Sequence, residues 1–498
     1  MLAVLCAGIF LAAMDQTVVV TVLPRIITDL EGGFSSGGVE RAAWIVTAYL
    51  IGYTIMLPLM GRVSDLHGHR RIYNLAMVIF VAGSFLCAIT TNLYELVGFR
   101  AIQAIGGGAV VPIALAIVGY YFPPERRAIA LGIIGAAGEA GGVVGPIYGS
   151  LVAQYLGWRA IFYLNVPWVL IIILLVWRFV VKTERRQVAV DYRSGLLLAL
   201  ALGLSTTAIS GARSVGWTRF GLPLLAASAL FMGAFLLSVR RADHPLIDLS
   251  IFRSRTFSAA NIAHFLLGVA LITALVQVPS FAYGSGWPET ANSSPLVGGL
   301  LLIRLMMMIP VGALLGGIIA GRAGSRLPAV AGFALSAFGL WRISAWAVNV
   351  GPVRQTEDLI ATGIGFGLVI APILLAGISE LRRGRMASGA SVLTAARIFG
   401  MAVGLAAINS WGISDFNTTM MKFPAPVPQL GESASGYLNL LSAWEEQNVH
   451  TLLGVLSDFF LIAAVACAIA IVPAFLIGRK RLKTSPAKNG GPGAGGKS

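Results

Sequence analysis

Long apolar stretches, separated by short polar or charged loops, dominate this chain. Fourteen of them reach the roughly 20 residues that a helix needs to cross a bilayer. They cover approximately residues 2–24, 42–60, 72–91, 95–120, 128–154, 161–178, 194–212, 219–239, 257–281, 295–318, 328–348, 356–379, 387–410 and 453–478. The period-two alternation of a membrane barrel is absent, so the pattern predicts an all-α polytopic membrane protein with fourteen transmembrane helices.

The order of these spans suggests a duplicated architecture. Residues 1–180 carry six spans, and residues 257–481 carry six more. Between them, residues 181–256 hold a charged linker and two further spans that contain no embedded acid. Parallel six-helix repeats around a central cavity are a known transporter arrangement. We therefore expect two six-helix bundles with two inserted central helices, followed by a disordered Gly/Pro/Lys-rich tail over residues 482–498.

The external connection between spans 13 and 14, residues 411–452, has two interpretations. Its second part has apolar positions at helical spacing and runs without a breaker into span 14. A continuous helix from about residue 435 to 477 would be about 65 Å long and would project beyond the bilayer. The alternative is an ordinary loop with a short surface helix.

Composition and charge fit this membrane reading. The chain is 57% hydrophobic and 11% charged, with a mean hydropathy of +0.82, whereas soluble proteins carry about 25% charged residues. Most of the 36 Lys and Arg fall on the side that also holds both termini, which the positive-inside rule makes cytoplasmic. We therefore expect a bacterial plasma (inner) membrane location. The net charge of +15 then reflects topology and anionic headgroups rather than nucleic-acid binding.

The sequence contains no pattern typical of an enzyme. It lacks a Walker-type G-x-x-x-x-G-K-[ST] segment, so ATP is not the expected energy source. The three cysteines lie within spans, and the five histidines are scattered, so neither a disulfide framework nor a metal site is predicted. We expect no cofactor.

Charged residues inside the spans are the strongest candidates for function, because a charge at the centre of a membrane helix costs about 2.5–3.5 kcal/mol. Asp15 and Glu139 are the acids that the span boundaries place deep in the membrane. Arg100 lies at a depth that suits pairing with Asp15. Arg304 and Arg397, in spans 10 and 13, are equally conspicuous. Desolvated carboxylates can load and release protons, which makes both acids candidate proton carriers.

The loop after span 2 reads GRVSDLHGHRR, and a related segment, GGIIAGRAGSR, follows span 10. The glycines of the first loop permit a tight turn and a close approach of the neighbouring helices. The pattern resembles motif A of the major facilitator superfamily, in which it acts as a latch between the two halves. The resemblance implies a cytoplasmic latch formed by Gly61, Asp65, Gly68, Arg70 and Arg71.

Further segments resemble the fourteen-helix drug:proton antiporter branch of that superfamily. The first span contains LAAMDQTVVVTVLP, and span 4 places Arg100 and Gln103 one turn apart, like motif B, with Ala104 in place of a glycine. Span 5 resembles the antiporter motif C, although Ser150 replaces its last glycine. Glycines three or four apart let a neighbouring helix approach, and a proline kinks its helix. The expected pivot and seal comprises Gly141, Gly145, Pro146 and Gly149.

The resemblance assigns roles to the buried charges. It implies that Asp15 is the proton site, that Arg100 is its relay partner and that Glu139 is a second titratable or switching site. In the family's fold, spans 5 and 10 pack across the interface between the halves, as do spans 2 and 13. Glu139 is therefore expected to pair with either Arg304 or Arg397 in one transport state.

Two substrate classes remain open at this level. The first interpretation is a multidrug:proton antiporter that exports lipophilic compounds by alternating access, and the resemblance implies that the proton motive force drives it. Glu139, the interface arginines and the external hairpin also resemble the actinobacterial lipid-exporting branch, which moves triacylglycerides beside a periplasmic lipoprotein. A non-transporting scaffold or sensor is the third alternative. Candidate cavity residues are Gln103, His264, Met306 and Met307.

Overall fold

The computed structural model describes residues 1–31, 36–181, 190–242, 245–284, 295–347, 350–379, 381, 386–420, 426 and 434–478. Sixteen α-helices fill most of these ranges. They are α1 Leu2–Val18, α2 Leu23–Glu31, α3 Ser36–His67, α4 His69–Ile89, α5 Leu93–Tyr121, α6 Pro124–Leu156, α7 Trp158–Phe179, α8 Tyr192–Val215, α9 Leu222–Arg241, α10 Arg255–Gly284, α11 Pro295–Met306, α12 Met308–Ala323, α13 Arg326–Ser344, α14 Pro352–Ser379, α15 Met386–Met420 and α16 Ala434–Leu476. The prediction of an all-α protein is confirmed.

Within the described residues, fourteen helical segments are long and apolar enough to cross a membrane, as predicted. Two departures from one helix per span have local causes. Span 10 is divided into α11 and α12 at Met307, because Pro310 has no N–H to offer the Met306 carbonyl four residues earlier. The short helix α2 lies between spans 1 and 2. Hydrogen bonds from Arg41 tie its last residue to α3 and hold the pKa of Glu31 below its usual range.

The helices pack as two six-span bundles with an inserted pair between them, as expected. In the first bundle α1 packs on α6, and α5 packs on α3 and α4. In the second, α10 packs on α15 and α16, while α14 packs on α12 and α13. The bundles meet where α3 contacts α15 and where α6 contacts α11. These two interfaces bring together helices that are far apart in the sequence.

The inserted pair packs against both bundles through α8, which contacts α3 and α15. A separate apolar cluster includes Leu198 of α8, Phe235 of α9 and Leu59 of α3, with Phe399 of α15 packed against it. A hydrogen bond of 2.7 Å from the Ser228 hydroxyl to the Ala201 carbonyl joins the two helices. The pair is therefore a packed element of the fold rather than a loose linker.

The long-helix interpretation of residues 411–452 agrees with the structure. Helix α16 runs without interruption for 43 residues, about 65 Å at 1.5 Å per residue. Helix α15 has 35 residues. Because a bilayer core is about 30 Å thick, both helices extend well beyond it. Most of the connection between them lies outside the described residues, as do the predicted disordered tail and most of the charged linker.

Close packing of α5 on α4 generates a test of this arrangement. A Cβ on Gly106 would lie 2.4 Å from both the Ala76 carbonyl and the Phe80 nitrogen, whereas a Cβ on Gly98 of the same helix would meet nothing within 4 Å. We expect Gly106→Ala to destabilise the protein by about 1–3 kcal/mol through overpacking. Gly98→Ala should be neutral or slightly stabilising. Thermal unfolding of both variants in detergent measures this, and equal midpoints would contradict the packing.

Candidate functional site

The predicted partners Asp15 and Arg100 form an ion pair at the centre of the first bundle. The Arg100 Nη1 atom lies 2.6 Å from Asp15 Oδ2, and Nη2 donates to the Asp15 main-chain oxygen at 3.2 Å. Both side chains are fully buried. Such charges are retained in membrane helices only when they face partners or cavities. The pair therefore joins α1 to α5 through charge-assisted hydrogen bonds.

Two amides complete the surroundings of the Asp15 carboxylate. Gln103 Nε2 donates to Asp15 Oδ1 at 3.0 Å, and Asn165 Nδ2 of α7 donates to the same oxygen at 2.9 Å. The Gln103 Oε1 atom accepts from Arg100 Nη1 at 2.8 Å. The contacts from Arg100, Gln103 and Asn165 to the carboxylate are thus all donors. This arrangement suits the ionised acid, because a protonated one would need an acceptor.

Aromatic rings hold the Arg100 guanidinium in place. Its central carbon lies 4.0 Å from the ring centre of Tyr49 and 5.8 Å from that of Phe162. The Tyr49 hydroxyl in turn donates to the Ala12 carbonyl at 3.2 Å. Cation–π contacts gain strength when they are desolvated. Helices α3 and α7 therefore position the arginine that α5 supplies.

The predicted glycine motif of α6 lies directly against α1. A Cβ on Gly145 would lie 2.1 Å from the Thr17 hydroxyl oxygen, and Cβ atoms on Gly141 and Gly149 would come within 2.5 Å of carbonyl oxygens of α1. Such distances exclude any side chain, so the four-residue spacing of glycines sets how closely the two helices approach. The helix that carries Asp15 therefore packs directly against the helix that carries Glu139.

Pro146 gives this contact a second component. Because a proline has no N–H, the Gly142 carbonyl four residues earlier loses its intrahelical donor. The Thr17 hydroxyl of α1 donates to that carbonyl at 2.9 Å, and the Thr21 hydroxyl donates to the Pro146 carbonyl at 3.2 Å. Pro146 thus leaves the Gly142 carbonyl without a donor in α6, and Thr17 of α1, two residues after Asp15, supplies one.

Glu139 pairs with Arg397 across the two bundles. Arg397 Nη2 of α15 donates to Glu139 Oε1 of α6 at 2.8 Å, with side-chain exposures of 16% and 35%. Of the two partners that the sequence left open, the structure brings Arg397 to Glu139. Arg304 instead donates to the Thr356 hydroxyl at 2.9 Å, within the second bundle. The Glu139–Arg397 pair is thus an ionic contact at the interface between the bundles.

The expected latch segment forms the turn between α3 and α4. Gly68 has a φ of 92°, in the region that favours glycine, and lies between the two helices. Asp65 Oδ1 lies 3.4 Å from His69 Nε2, and His69 Nδ1 lies 3.0 Å from the Ser64 hydroxyl oxygen. These contacts are made between residues of the turn and the adjoining ends of α3 and α4.

The remaining latch residues also lie in the first bundle. Arg70 Nη1 donates to the carbonyls of Trp177 and Val180 at 3.2 and 3.3 Å, which caps the end of α7. Arg71 is exposed, and Gly61 lies within α3. The contacts named here are made within one bundle, so a latch between the bundles stays a prediction.

The four cavity candidates lie in different environments. Gln103 is fully buried and belongs to the Asp15 cluster. His264 is buried between α10 and α15, where its Nδ1 lies 3.1 Å from the Leu393 carbonyl. Met306 is buried in the apolar core, whereas Met307 is 54% exposed at the break in span 10. They do not line a common surface, because the helix break turns successive methionines in different directions.

Two buried polar residues of the structure are not among the predicted site residues. Asn165 lies in the apolar run GWRAIFYLNVP, where a polar residue at membrane depth was the available signal. The second is an acid near one end of a span. Asp358 of α14 is fully buried, with Oδ1 2.7 Å from Arg342 Nε and Oδ2 accepting from Trp346 Nε1 at 2.9 Å. Its place near the start of span 12 suggested the membrane boundary, but packing by α13 buries it.

Comparisons with known proteins agree with this architecture. A family model described as the Major Facilitator Superfamily matches residues 5–405. A triacylglyceride transporter of Mycolicibacterium hassiacum is 34% identical, covering 95% of this chain and 91% of that protein. One from Mycobacteroides abscessus is 35% identical over 87% of each chain. One from Mycobacterium tuberculosis is 33% identical over 96% and 94%.

Solved structures show the same fold at lower identity. A bacterial homologue of the human lysosomal transporter Spinster, in an inward-facing and occupied conformation, matches with a TM-score of 0.67 and 15% identity over 96% of each chain. The xylose transporter XylE of E. coli matches with a TM-score of 0.59 and 15% identity, over 93% of this chain and 95% of that one.

Two packed six-helix bundles, the first with a buried ion pair at its centre, are the arrangement of a secondary transporter. The chain belongs to the major facilitator superfamily. It is a multi-pass membrane transporter, not an enzyme. Within the part of the chain that the structure describes, no group of three His, Cys, Asp or Glu side chains could hold a metal ion.

The hydrogen bond from Thr17 to Gly142 can be tested without a transport assay. Thr17→Val preserves the side-chain shape but leaves the Gly142 carbonyl buried without its donor. We expect a loss on the order of 1 kcal/mol. Thr17→Ser, which keeps the hydroxyl, should lose less. Thermal unfolding in detergent measures both, and a Val variant as stable as the wild type would contradict the role of Thr17.

Proposed function

We propose that this protein exports lipids of the triacylglyceride class across the plasma membrane, driven by proton entry. The observation that carries the substrate assignment is the similarity of nearly the whole chain to three triacylglyceride transporters, at 33–35% identity. It favours the lipid alternative over the multidrug interpretation, which has no specific support among these relatives.

Asp15 is the proposed proton carrier. In the present arrangement its carboxylate is contacted by donors from Arg100, Gln103 and Asn165. A proton added to Oδ1 would face the N–H groups of Gln103 and Asn165, so one of these amides must turn to accept it. Protonation would also weaken the attraction between Asp15 and Arg100. Proton binding is thereby coupled to the packing of α1 against α5.

Asn165 is the proposed acceptor for that proton. The Gln103 Oε1 atom is already bound by Arg100, so turning this amide would set its NH₂ group against the guanidinium. The buried Asn165 Oδ1 atom makes no hydrogen bond to the described residues. Rotating the Asn165 amide would present this oxygen to a protonated Asp15. Asn165 is thus a positioning residue that supports both states of the acid.

A continuous set of contacts links this site to the bundle interface. Thr17 follows Asp15 on α1 and binds the Gly142 carbonyl of α6. Glu139, less than one turn before Gly142, binds Arg397 of α15. We therefore propose that movement of α1 is transmitted through α6 to the Glu139–Arg397 pair, which opens in one transport state and closes in the other. The latch segment would act at the cytoplasmic end.

The long helices α15 and α16 are the proposed contact for a lipid-carrying lipoprotein outside the membrane. Beyond the bilayer core α16 exposes Leu438 and Leu440, at 60% and 53%. Exposed apolar side chains on a projecting helix suit a lipophilic cargo or its carrier. In this topology both termini are cytoplasmic and the helical extension faces the periplasm.

Proton coupling through Asp15 predicts a specific transport defect. In liposomes containing a labelled triacylglyceride, an imposed proton gradient should drive transport by the wild type, and Asp15→Asn should reduce it to background. The substitution leaves Arg100 buried without a counter-charge, which can cost about 3–5 kcal/mol. The double variant Asp15→Asn/Arg100→Gln removes both charges and should fold, yet also lack proton-driven transport.

A matched control is Glu95→Gln, which removes an exposed acid at the start of α5 and should leave transport unchanged. Proton-driven lipid transport by the double variant would refute the role of Asp15. If the protein exchanges ethidium for protons but does not move the labelled lipid, the multidrug interpretation replaces the lipid assignment. If neither compound moves faster than in protein-free liposomes, with or without the carboxyl, a non-transporting scaffold is favoured.

The interface pair predicts a conformational effect. Spin labels on Leu156→Cys and Val353→Cys, both exposed, report the distance between α6 and α14 in different bundles. Glu139→Gln should shift the distance distribution, because it removes the ionic contact that joins the bundles. The exchange Glu139→Arg/Arg397→Glu should partly restore the wild-type distribution, since the pair can reform.

Arg304→Gln serves as the control for this measurement. It removes an arginine of span 10 whose hydrogen bond to Thr356 lies within one bundle. It should therefore leave the distance distribution close to that of the wild type. If Glu139→Gln behaves like Arg304→Gln, the pair does not control the relative position of the bundles.

A further inference from the structure

A cavity of about 360 Å³ lies at the surface of the inserted helix pair, far in sequence from the Asp15 cluster. It is formed where α8 begins and α9 ends. Its lining comprises Arg193, Ala234, Leu237, Ser238, Arg241 and Ala242. The transport mechanism proposed above uses none of these residues.

Two arginines give this cavity its charge. Arg193 and Arg241 are both exposed, and neither has a carboxylate within ion-pair distance in the described part of the chain. The nearby Asp191 caps the start of α8, where its carboxylate accepts from the Ser194 main-chain nitrogen at 3.0 Å and from the Ser194 hydroxyl. Two guanidinium groups that share a cavity repel each other, and an anion between them removes that repulsion.

The walls of the cavity are held together. The hydroxyl oxygens of Ser194 on α8 and Ser238 on α9 lie 2.9 Å apart. Farther along the pair, the Ser228 hydroxyl donates to the Ala201 carbonyl. These two contacts, about ten residues apart along α9, fix the spacing of the helices. Their packing therefore sets the positions from which both arginines extend.

The surface next to the arginines is apolar and exposed. Leu237 lines the cavity and is 54% exposed, and Leu196, one turn from Arg193, is 63% exposed. Leu230, farther along α9, is 72% exposed. Because α8 and α9 cross the membrane, these leucines face acyl chains while the arginines lie at the level of the headgroups. The site thus combines a double positive charge with an apolar surface that continues into the bilayer.

We propose that this cavity binds the headgroup of an anionic phospholipid from the adjacent leaflet. The two guanidinium groups would bind the phosphate, for which arginine geometry is well suited, and the acyl chains would follow the exposed leucines. Basic pockets between membrane helices are suited to such headgroups. Since α8 packs on both α3 and α15, a bound lipid anchors the inserted pair to one leaflet while the bundles move.

Native mass spectrometry of the full-length protein tests this site independently of transport. The protein is released from detergent in the presence of phosphatidylglycerol or phosphatidylcholine, and the retained lipids are counted. The wild type should retain at least one more molecule of phosphatidylglycerol than of phosphatidylcholine. Arg193→Gln/Arg241→Gln should bind it about 30-fold more weakly, the effect of two basic residues near a membrane surface. The arginines are exposed, so the variant should fold, which gel filtration checks.

The control is Arg240→Gln/Arg253→Gln, which removes the same charge from exposed residues that do not line the cavity, and it should bind like the wild type. If both double variants lose the same amount of bound phosphatidylglycerol, net charge alone explains the binding and the proposed site is overturned. Equal retention of the two lipids by the wild type would overturn it as well. If inorganic phosphate protects the protein from unfolding as well as phosphatidylglycerol does, the ligand is the free anion, and the lipid assignment is wrong.

Discussion

The buried ion pair between Asp15 and Arg100 is the interaction on which the rest of the site depends. Neither charge would be tolerated alone at this depth, because the membrane offers no water to solvate it. Together they recruit Gln103 and Asn165 as further donors. Helices α1, α5 and α7 are therefore joined by one polar cluster inside an apolar bundle. A proton on Asp15 would change the strength of every contact in that cluster.

The second constraint is the close approach of α1 to α6. The glycines of α6 remove the side chains that would separate the helices, and Pro146 frees a carbonyl that Thr17 satisfies. Each feature needs the other, since the hydroxyl reaches the carbonyl only when the helices are close. The proton site and the Glu139–Arg397 contact thus lie on two helices packed directly together. This proximity supports coupling between proton binding and the bundle interface.

The inserted helices extend this picture to the lipid surroundings. They pack, mainly through α8, on α3 and α15, which form one of the two contacts between the bundles. An anionic lipid bound at their end would act on the same interface from the membrane side. At the opposite extreme of the molecule, α15 and α16 extend beyond the bilayer core. One helix, α15, therefore carries Arg397, contacts the inserted pair and forms part of the extension.

The sequence by itself determined the number of spans, because about 20 apolar residues must cross a bilayer as a helix. It also identified Asp15, Arg100, Glu139 and Arg397, since charges within such spans are costly and few. It could not choose between Arg304 and Arg397, reveal Asp358 as buried or identify Asn165 as a partner of Asp15. Those outcomes depend on which helices pack together and how they rotate about their axes, and hydrophobic spans constrain neither. Only the tertiary structure decided them.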